Sequence, residues 1–367
     1  MTVQRIAAAE AIERLGSFDC IVDARSESEF ADDHLPGAVN WPSLSDAERA
    51  RVGTEYAQAS PFDARKRGAV LVARNIARHV ERELQDKERD WRPLVYCWRG
   101  GQRSGALATV LDAIGFRVQV LEGGYRAFRR AVRAELETLP LRLALRVLAG
   151  PTGSGKSRLL QALAAAGAQV IDLEALAAHR GSVLGPLPGR AQPTQKAFET
   201  ALWHALRGFD AARPVWVESE SRTIGRLRVP EALLAHMRAA SCVALEMAPA
   251  ARVALLLEDY GHFVRDTESF CERLAALREL RGAATVARWQ ALARTGGHAE
   301  VVRELLEQHY DPIYLQSMAR NFAGFGAAAR LPLADGSAAA LHGAAAALMQ
   351  RAGTTAGAAG AGGGGLS

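Results

Sequence analysis

The sequence predicts an α/β protein made of two consecutive parallel-sheet domains, the second carrying a helical C-terminal part. Three observations lead there. Short apolar runs alternate with stretches of helical periodicity along most of the chain, which is the pattern of strand–helix–strand units. The stretch G-x-x-x-x-G-K-S, Gly150 to Ser157, follows one such run directly and opens a helical pattern, the setting a phosphate-binding loop requires. Between the two halves, RAFRRAVRAELETLP (126–140) reads as a helix ended by Pro140, because proline cannot continue a helix. The expected division is therefore a first domain over 1–140, a second over 141–350, and a Gly/Ala tail over 351–367.

In the first domain, FDCIVDAR (18–25), PLVYC (93–97) and FRVQVLEGG (116–124) read as strands. The stretch from about 44 to 90 is charged and helical in period, with DAERARVGTEYAQ and VARNIARHVERELQDKERD as its clearest blocks. It reads as a helical excursion on the domain surface. In the second domain the strand-like runs are LRLALRVLAG (141–150), AQVIDL (168–173), PVWVESE (214–220) and SCVALEM (241–247). From about 250 to 320 the pattern is helical. The last residues, AGTTAGAAGAGGGGLS, are low in complexity and have nothing to bury, so disorder is expected. The chain has no internal repeat.

Composition narrows the class. At 367 residues the chain can bury two ordinary cores, and 49% hydrophobic with 23% charged residues is the balance of a soluble globular protein. No apolar run approaches the roughly 18 residues needed to span a bilayer. The N-terminus mixes charge into its apolar stretch and lacks a secretory core. A cytoplasmic protein with no membrane partner is expected. The four cysteines, Cys20, Cys97, Cys242 and Cys271, are far apart and show no zinc-ligand spacing, so neither a disulfide framework nor a structural metal site is expected. Cys20 and Cys242 fall inside strand-like runs and read as small core hydrophobes; Cys271 carries no signal.

Net charge is +5, and only Lys66, Lys87, Lys156 and Lys196 are lysines, so arginine dominates the basic residues. Residues 1–140 balance 21 basic against 21 acidic side chains, and residues 141–367 hold 24 against 19. Within the first part, residues 90–133 carry 8 basic and 3 acidic side chains around Cys97. A local cationic surface attracts a polyanion even on a neutral domain.

Two loops carry chemistry. In VYCWRGGQRSGALATVL a strand ends at Cys97, a Gly-rich turn follows, and an apolar-periodic helix begins. That order lets backbone N–H groups converge on the sulfur at the positive end of a helix, with Arg99 and Arg103 adding cationic charge. These conditions lower a thiol pKa. In RVLAGPTGSGKSRLLQAL, Gly150, Gly153 and Gly155 permit the tight turn and Ser154 completes the loop. Lys156 supplies a point charge to a terminal phosphate, and Ser157 can hold Mg²⁺. Asp172 and Glu218 end two later strand-like runs, where an acid holding a metal-bound water is expected. PVWVESESR is an atypical acidic strand end, with glutamates where an aspartate is usual, and Glu218 and Glu220 read equally well as surface acids. ATP hydrolysis does not follow from the phosphate loop.

Resemblances extend this reading. DARSESEF (23–30), HLPGAVNWP (34–42) and VLEGGYRAF (120–128) resemble the motifs of the rhodanese family over about residues 10–133. This implies that the loop Trp98, Arg99, Gly100, Gly101, Gln102, Arg103 cradles a sulfur-charged Cys97 as the catalytic residue and sets substrate choice. Asp23 and Arg25 are then structural, and His34 caps a turn. The second domain is similar to P-loop NTPases. The pairing of the two, with DLEALAAHRGSVLG (172–185), ESESRTIGRLRVP (218–230) and LLLEDYGHF (255–263), resembles the bacterial tRNA 2-selenouridine synthase family over nearly the whole chain. That resemblance implies a transferase acting on wobble 2-thiouridine in the tRNA anticodon region, with geranyl diphosphate and selenophosphate as substrates and no tightly bound cofactor. Selenophosphate delivery by its synthase is a further implied partnership. Two other readings stay open: an ATP-using tRNA sulfurtransferase, and a P-loop kinase with a regulatory rhodanese module. If tRNA bridges the two halves, charge reversal at Arg129 and Arg130 is expected to weaken it.

Overall fold

The computed structural model describes residues 3–181, 185 and 189–360, with side chains as far as 351. The chain divides into two units after Leu136, and the first unit also takes in Pro193–His204.

The first unit is a parallel sheet of β1 (Gln4–Ile6), β2 (Cys20–Asp23), β3 (Ala38–Asn40), β4 (Pro93–Tyr96) and β5 (Gln119–Leu121), in the order β1-β5-β4-β2-β3. Strand β4 is buried along its whole length, as expected of a central parallel strand covered on both faces. The expected strands all form. The edge strands β1 and β3 carry only three residues each, too few for a period to register in the sequence. The charged excursion becomes two helices, Asp46–Gln58 and Pro61–Glu83. Ser45 caps the first in a reciprocal box with Glu48, and Ser60 caps the second ahead of Pro61. The second helix is more than a surface feature, because Ile76 joins the core with Val22, Val95, Leu107 and Val120.

A buried ion pair holds this unit together. Asp23 and Arg25 are 0% and 1% exposed. Arg25 donates through Nε at 3.0 Å and Nη2 at 2.6 Å to the Asp23 carboxylate, and again to the Asp33 carbonyl at 2.6 Å. Its guanidinium lies 3.9 Å from the Tyr125 ring centroid. Asp33 in turn accepts from Tyr125 Oη at 2.8 Å and Thr200 Oγ1 at 2.9 Å. Segment 193–204 is fixed through Thr200 and through Trp203, whose ring meets Phe128 edge-on at 5.4 Å. Arg129 donates to Thr200 and Glu199 within the same unit. It is therefore a packed structural residue, and the expectation that it offers a free charge to RNA is corrected; Arg130 is exposed.

The second unit is a parallel sheet of β6 (Leu145–Ala149), β7 (Gln169–Ile171), β8 (Val215–Glu218), β11 (Ser241–Met247) and β12 (Gly324–Leu333), in the order β12-β11-β6-β8-β7. A two-strand hairpin, β9 (Thr223–Ile224) with β10 (Leu227–Arg228), lies between β8 and β11 in sequence. Strand β12 was illegible in the sequence, since GFGAAARLPL has no alternation. Helices fill Pro249–Asn321 and build a core of their own around Phe270, Leu274, Trp289 and Val301. The run is interrupted by a π-helical turn, Leu306–Tyr310. The last helix, Ala338–Gly360, covers the sheet with Leu341, Ala345 and Leu348 and continues into the Gly/Ala segment; residues 361–367 of that segment lie outside the described residues. Among the described residues no helix is long and apolar enough to cross a membrane. Cys242 and Cys271 are buried and Cys20 is half-buried at its strand start.

Asp23→Ala strands the Arg25 charge in the core. The substitution is expected to destabilise the first unit by about 3–5 kcal/mol, read as a drop in the urea midpoint, whereas Arg92→Ala at the exposed pair with Asp19 leaves the midpoint nearly unmoved.

Candidate functional site

Strand β4 delivers Cys97 to a turn that only glycine can make. Gly100 has φ +66, and a Cβ there would sit 2.5 Å from the Leu121 carbonyl oxygen. Opposite it, Gly124 has φ +56, and its Cβ would strike the Cys97 carbonyl. This close approach lets Tyr125 N–H donate to Cys97 O at 2.8 Å and Arg126 N–H to Trp98 O at 3.2 Å. The VLEGGYRAF block is thus the second wall of the Cys97 loop. Gly101 leads into the helix Gln102–Ile114, whose positive end faces the sulfur.

Cys97 is 3% exposed. Burial pushes its thiol pKa up, but the Ser104 hydroxyl and the backbone N–H groups of Ser104, Gly101 and Arg99 outweigh this and bring it below the ordinary thiol value. Ser104 Oγ lies 3.1 Å from Sγ. The arginines expected to supply this effect do not. Arg103 pairs with Glu29, Nη1 to Oε2 at 2.6 Å, and Arg99 and Gln102 are exposed. Trp98 is half-buried and leans on Tyr125, ring centroids 5.4 Å apart. Ser104 was missed because a serine one residue past the loop looks like any small helix residue. Its placement in the first helical turn, where its hydroxyl turns back to the sulfur, was the available signal. His34 bonds the Phe30 carbonyl through Nδ1 at 2.9 Å and stacks on that ring, a turn contact as expected.

In the second unit, β6 ends at Ala149 and the loop enters the helix Lys156–Ala165. Gly153 and Gly155 have φ of +76 and +85, and a Cβ on Gly153 would meet Leu256 at 2.9 Å and the Arg252 carbonyl at 3.1 Å. Ser154 is buried. Lys156 Nζ donates to Gly150 O at 2.6 Å, and Arg252 clamps the Thr152 carbonyl at 2.7 Å while pairing with Asp311 at 2.6 Å.

Beside the loop, three carboxylates crowd together. One oxygen from each of Glu174, Glu218 and Glu220 lies within 4.8 Å of the others. Ser157 Oγ is 2.9 Å from Glu174 Oε2 and 3.0 Å from Glu218 Oε2. A hydroxyl has one proton to give, so two carboxylates around it need a further proton or a cation. Glu218 is 0% exposed, and among the described residues its Oε1 has no partner. Burial, then the charges of Glu174 and Glu220, pushes its pKa well above the carboxylate range. Burial and the Glu174 charge push Glu220 up to about 7. Glu174 is raised by burial, with Lys156 opposing. Neither Glu218 nor Glu220 is a plain surface acid. Asp172 is not in the cluster: its carboxylate caps the helix Leu173–Ala177 by accepting from Ala175 N–H at 2.8 Å. The place expected for it is taken by Glu174, two residues on, which nothing in the sequence sets apart from its neighbours. Loop, acids and the helix Asp311–Asn321 enclose a cleft of about 670 Å³. The HRGSVLG block touches this cleft at His179, Arg180 and Gly181; residues 182–184 lie outside the described residues.

Residues 7–131 match the rhodanese-like domain, and residues 143–276 match the AAA domain of tRNA 2-selenouridine synthase. The tRNA 2-selenouridine synthase of Alcanivorax borkumensis is 33% identical over 332 residues, covering 82% of this chain and 90% of that protein. That of Cupriavidus necator is 36% identical over 325 residues, covering 80% and 87%. The chain belongs to the tRNA 2-selenouridine synthase family. Its architecture is that of the expected class, a rhodanese-like domain followed by a P-loop α/β domain with a helical part. Cys97 and Ser104 fall inside the rhodanese-like match, and the phosphate loop and all three clustered glutamates inside the match to the family's AAA domain.

Ser104→Ala is expected to move the pH midpoint of Cys97 alkylation by iodoacetamide, followed on the Cys97 peptide by mass spectrometry, to higher pH; Arg99→Gln leaves it in place. The glutamate cluster has the opposite sign. Because Glu220 is raised from the usual 4.5 to about 7, the folded state holds a proton there that the unfolded chain has already lost. Its contribution to stability is complete below about pH 4.5 and disappears as pH rises through about 7. In EDTA the melting temperature of the second unit should fall across that window. Glu220→Gln or added Mg²⁺ should flatten the fall.

Proposed function

We propose that the chain is a transferase that converts wobble 2-thiouridine of tRNA to 2-selenouridine through an S-geranyl intermediate. What carries the reading is one pairing: a thiolate-stabilising loop around Cys97 and a phosphate-binding cleft, within one chain of this family. In the first step the thione sulfur attacks C1 of geranyl diphosphate, the C–O bond breaks, and pyrophosphate leaves with the bonding electrons. The uridine N3 proton is lost to solvent. In the second step the selenium of selenophosphate adds to C2, geranyl thiolate departs with the C–S electron pair, and water cleaves the P–Se bond to release phosphate. An S-alkylated sulfur leaves readily where a thione sulfur does not, which is why alkylation comes first.

The residues divide accordingly. The N–H groups of Gly153 to Ser157 and Lys156 meet the diphosphate. Ser157 with Glu174, Glu218 and Glu220 can hold Mg²⁺, and the orphaned Glu218 oxygen fits such an ion. Bound there, the ion would neutralise charge on the departing pyrophosphate. Cys97 handles the selenium donor, its thiolate held by Ser104 and the loop amides. The exposed arginines Arg99, Arg117, Arg126, Arg130 and Arg133 offer a salt-sensitive surface for the anticodon region. Cytoplasmic work on tRNA fits this reading.

The test is mass spectrometry of wobble nucleosides from 2-thiouridine tRNA incubated with the protein, geranyl diphosphate and selenophosphate. 2-Selenouridine is expected, with S-geranyl-2-thiouridine accumulating when selenophosphate is left out and no AMP or ADP formed from added ATP. Cys97→Ala is expected to stop at the geranylated nucleoside while keeping its fold. Selenouridine made by that variant at the unaltered rate removes Cys97 from the chemistry, and ATP turnover coupled to modification would favour a sulfurtransferase instead.

A further inference from the structure

The helices that close the phosphate cleft bring one buried histidine to it. His309 is 4% exposed and lines the cleft, from within the π-helical turn Leu306–Tyr310. π turns of this kind recur at functional sites. The His309 ring meets the Tyr310 ring edge-on, with centroids 4.8 Å apart. It takes no part in the glutamate cluster.

Behind the ring stands Arg281, at the end of the short helix Arg278–Arg281. Its Nε donates to His309 Nδ1 at 3.0 Å. That bond fixes the tautomer, because a nitrogen that accepts carries no proton, so the ring hydrogen sits on Nε2. Burial, and then the Arg281 charge, hold the His309 pKa below the usual histidine value, and the ring is neutral at neutral pH. Among the described residues no carboxylate pairs with Arg281, and no group accepts from His309 Nε2. Arg281 is half-buried and outside the cleft lining, so the cleft meets the opposite edge of the ring. A half-buried cation without a counter-ion is stabilised by an anion nearby. A hydrogen-bond chain that starts at a cation also makes its last donor stronger. The chain here runs from Arg281 through a neutral ring to a cleft whose other wall is the phosphate loop with Lys156.

We propose that His309, polarised by Arg281, donates its Nε2–H to an anionic oxygen of the diphosphate held at the phosphate loop. The inference rests on the reading of that loop as a diphosphate site. Charge gathers on the departing pyrophosphate as the C–O bond breaks, so this bond is stronger in the transition state than in the bound substrate. Arg281 is a positioning residue, since it acts only through the ring.

The experiment is calorimetry of inorganic pyrophosphate binding to the full chain in Mg²⁺, joined to NMR of the ¹⁵N-histidine-labelled protein. His309→Phe keeps a ring and removes the donor. It is expected to weaken pyrophosphate roughly 10- to 100-fold while the protein stays folded. His309→Gln, whose amide restores a donor near the Nε2 position, should recover most of that loss, which a purely structural role would not allow. The His309 ring signal, assigned by its absence from His309→Gln, should show the proton on Nε2 and should move when pyrophosphate is added. A His309→Phe protein that binds pyrophosphate as tightly as the unaltered one overturns the proposal, as does a ring protonated on Nδ1 or unmoved by pyrophosphate. Should His309→Phe fail to fold, the NMR of the unaltered protein decides by itself. Pyrophosphate weakened by Lys156→Ala but not by His309→Phe leaves the loop reading standing and removes His309 alone. An unaltered protein that binds no pyrophosphate overturns the loop reading as well. Weakening by His309→Phe confined to an anticodon stem-loop RNA places the donor on an RNA phosphate and overturns the assignment to the diphosphate.

Discussion

Both halves of this protein answer one electrostatic demand, a place for negative charge at a parallel strand's C-terminal end. Each solves it by passing from strand through a glycine-bearing loop into a helix N-terminus, so that backbone N–H dipoles converge. In the first unit the anion is the Cys97 thiolate, met by amides of Arg99, Gly101 and Ser104. In the second the loop Gly153 to Ser157 passes into its helix in the same way, with Lys156 at the first helical position. The glycines follow from the demand, because the loops pass so close to neighbouring backbone that a Cβ at Gly100 or Gly153 would collide.

Side-chain charge then adjusts each site in opposite directions. Around Cys97 the arginine expected to add charge, Arg103, is tied to Glu29, and the stabilisation is left to fixed dipoles and one hydroxyl. Around Ser157 the chain does the reverse and assembles three acids that repel one another. Such crowding is costly without a proton or cation to share, and burial together with neighbouring acid charge raises the pKa of all three acids. The buried Asp23–Arg25 pair does no chemistry. Its carboxylate and guanidinium anchor the end of β2 and the turn at Asp33, on which Tyr125, the residue following Gly124 in the second wall of the Cys97 loop, also rests.

The helical part beyond β11 packs directly against the phosphate loop, where Leu256 lies under Gly153. Its π-helical turn breaks the regular succession of side chains at Leu306–Tyr310, so that His309 and Tyr310 reach the cleft while Leu306 packs among the helices. Arg252, buried and bridging Thr152 to Asp311, locks the phosphate loop to these helices. Binding at the loop and packing among the helices are thereby mechanically joined within the unit.

The sequence by itself determined whatever depends on local backbone requirements: the strand–loop–helix order at Cys97 and at Gly150–Ser157, the glycines, the central strands and the helical run after 250. These are short-range consequences of sterics and period. Tertiary structure decided what depends on which distant residues meet. It turned Asp172 into a helix cap and put Glu174 beside Ser157 and Glu218, since two acids two residues apart look equivalent until a fold places one of them. It neutralised Arg103 and Arg129 with Glu29 and Glu199, pairings separated by tens of residues. It added β12 to the sheet, a strand whose Gly/Ala sequence has no period of its own and is held by pairing with β11. And it gave Pro193–His204 to the first unit, because Trp203 finds its apolar partner in Phe128, a contact no pattern in the intervening sequence announces.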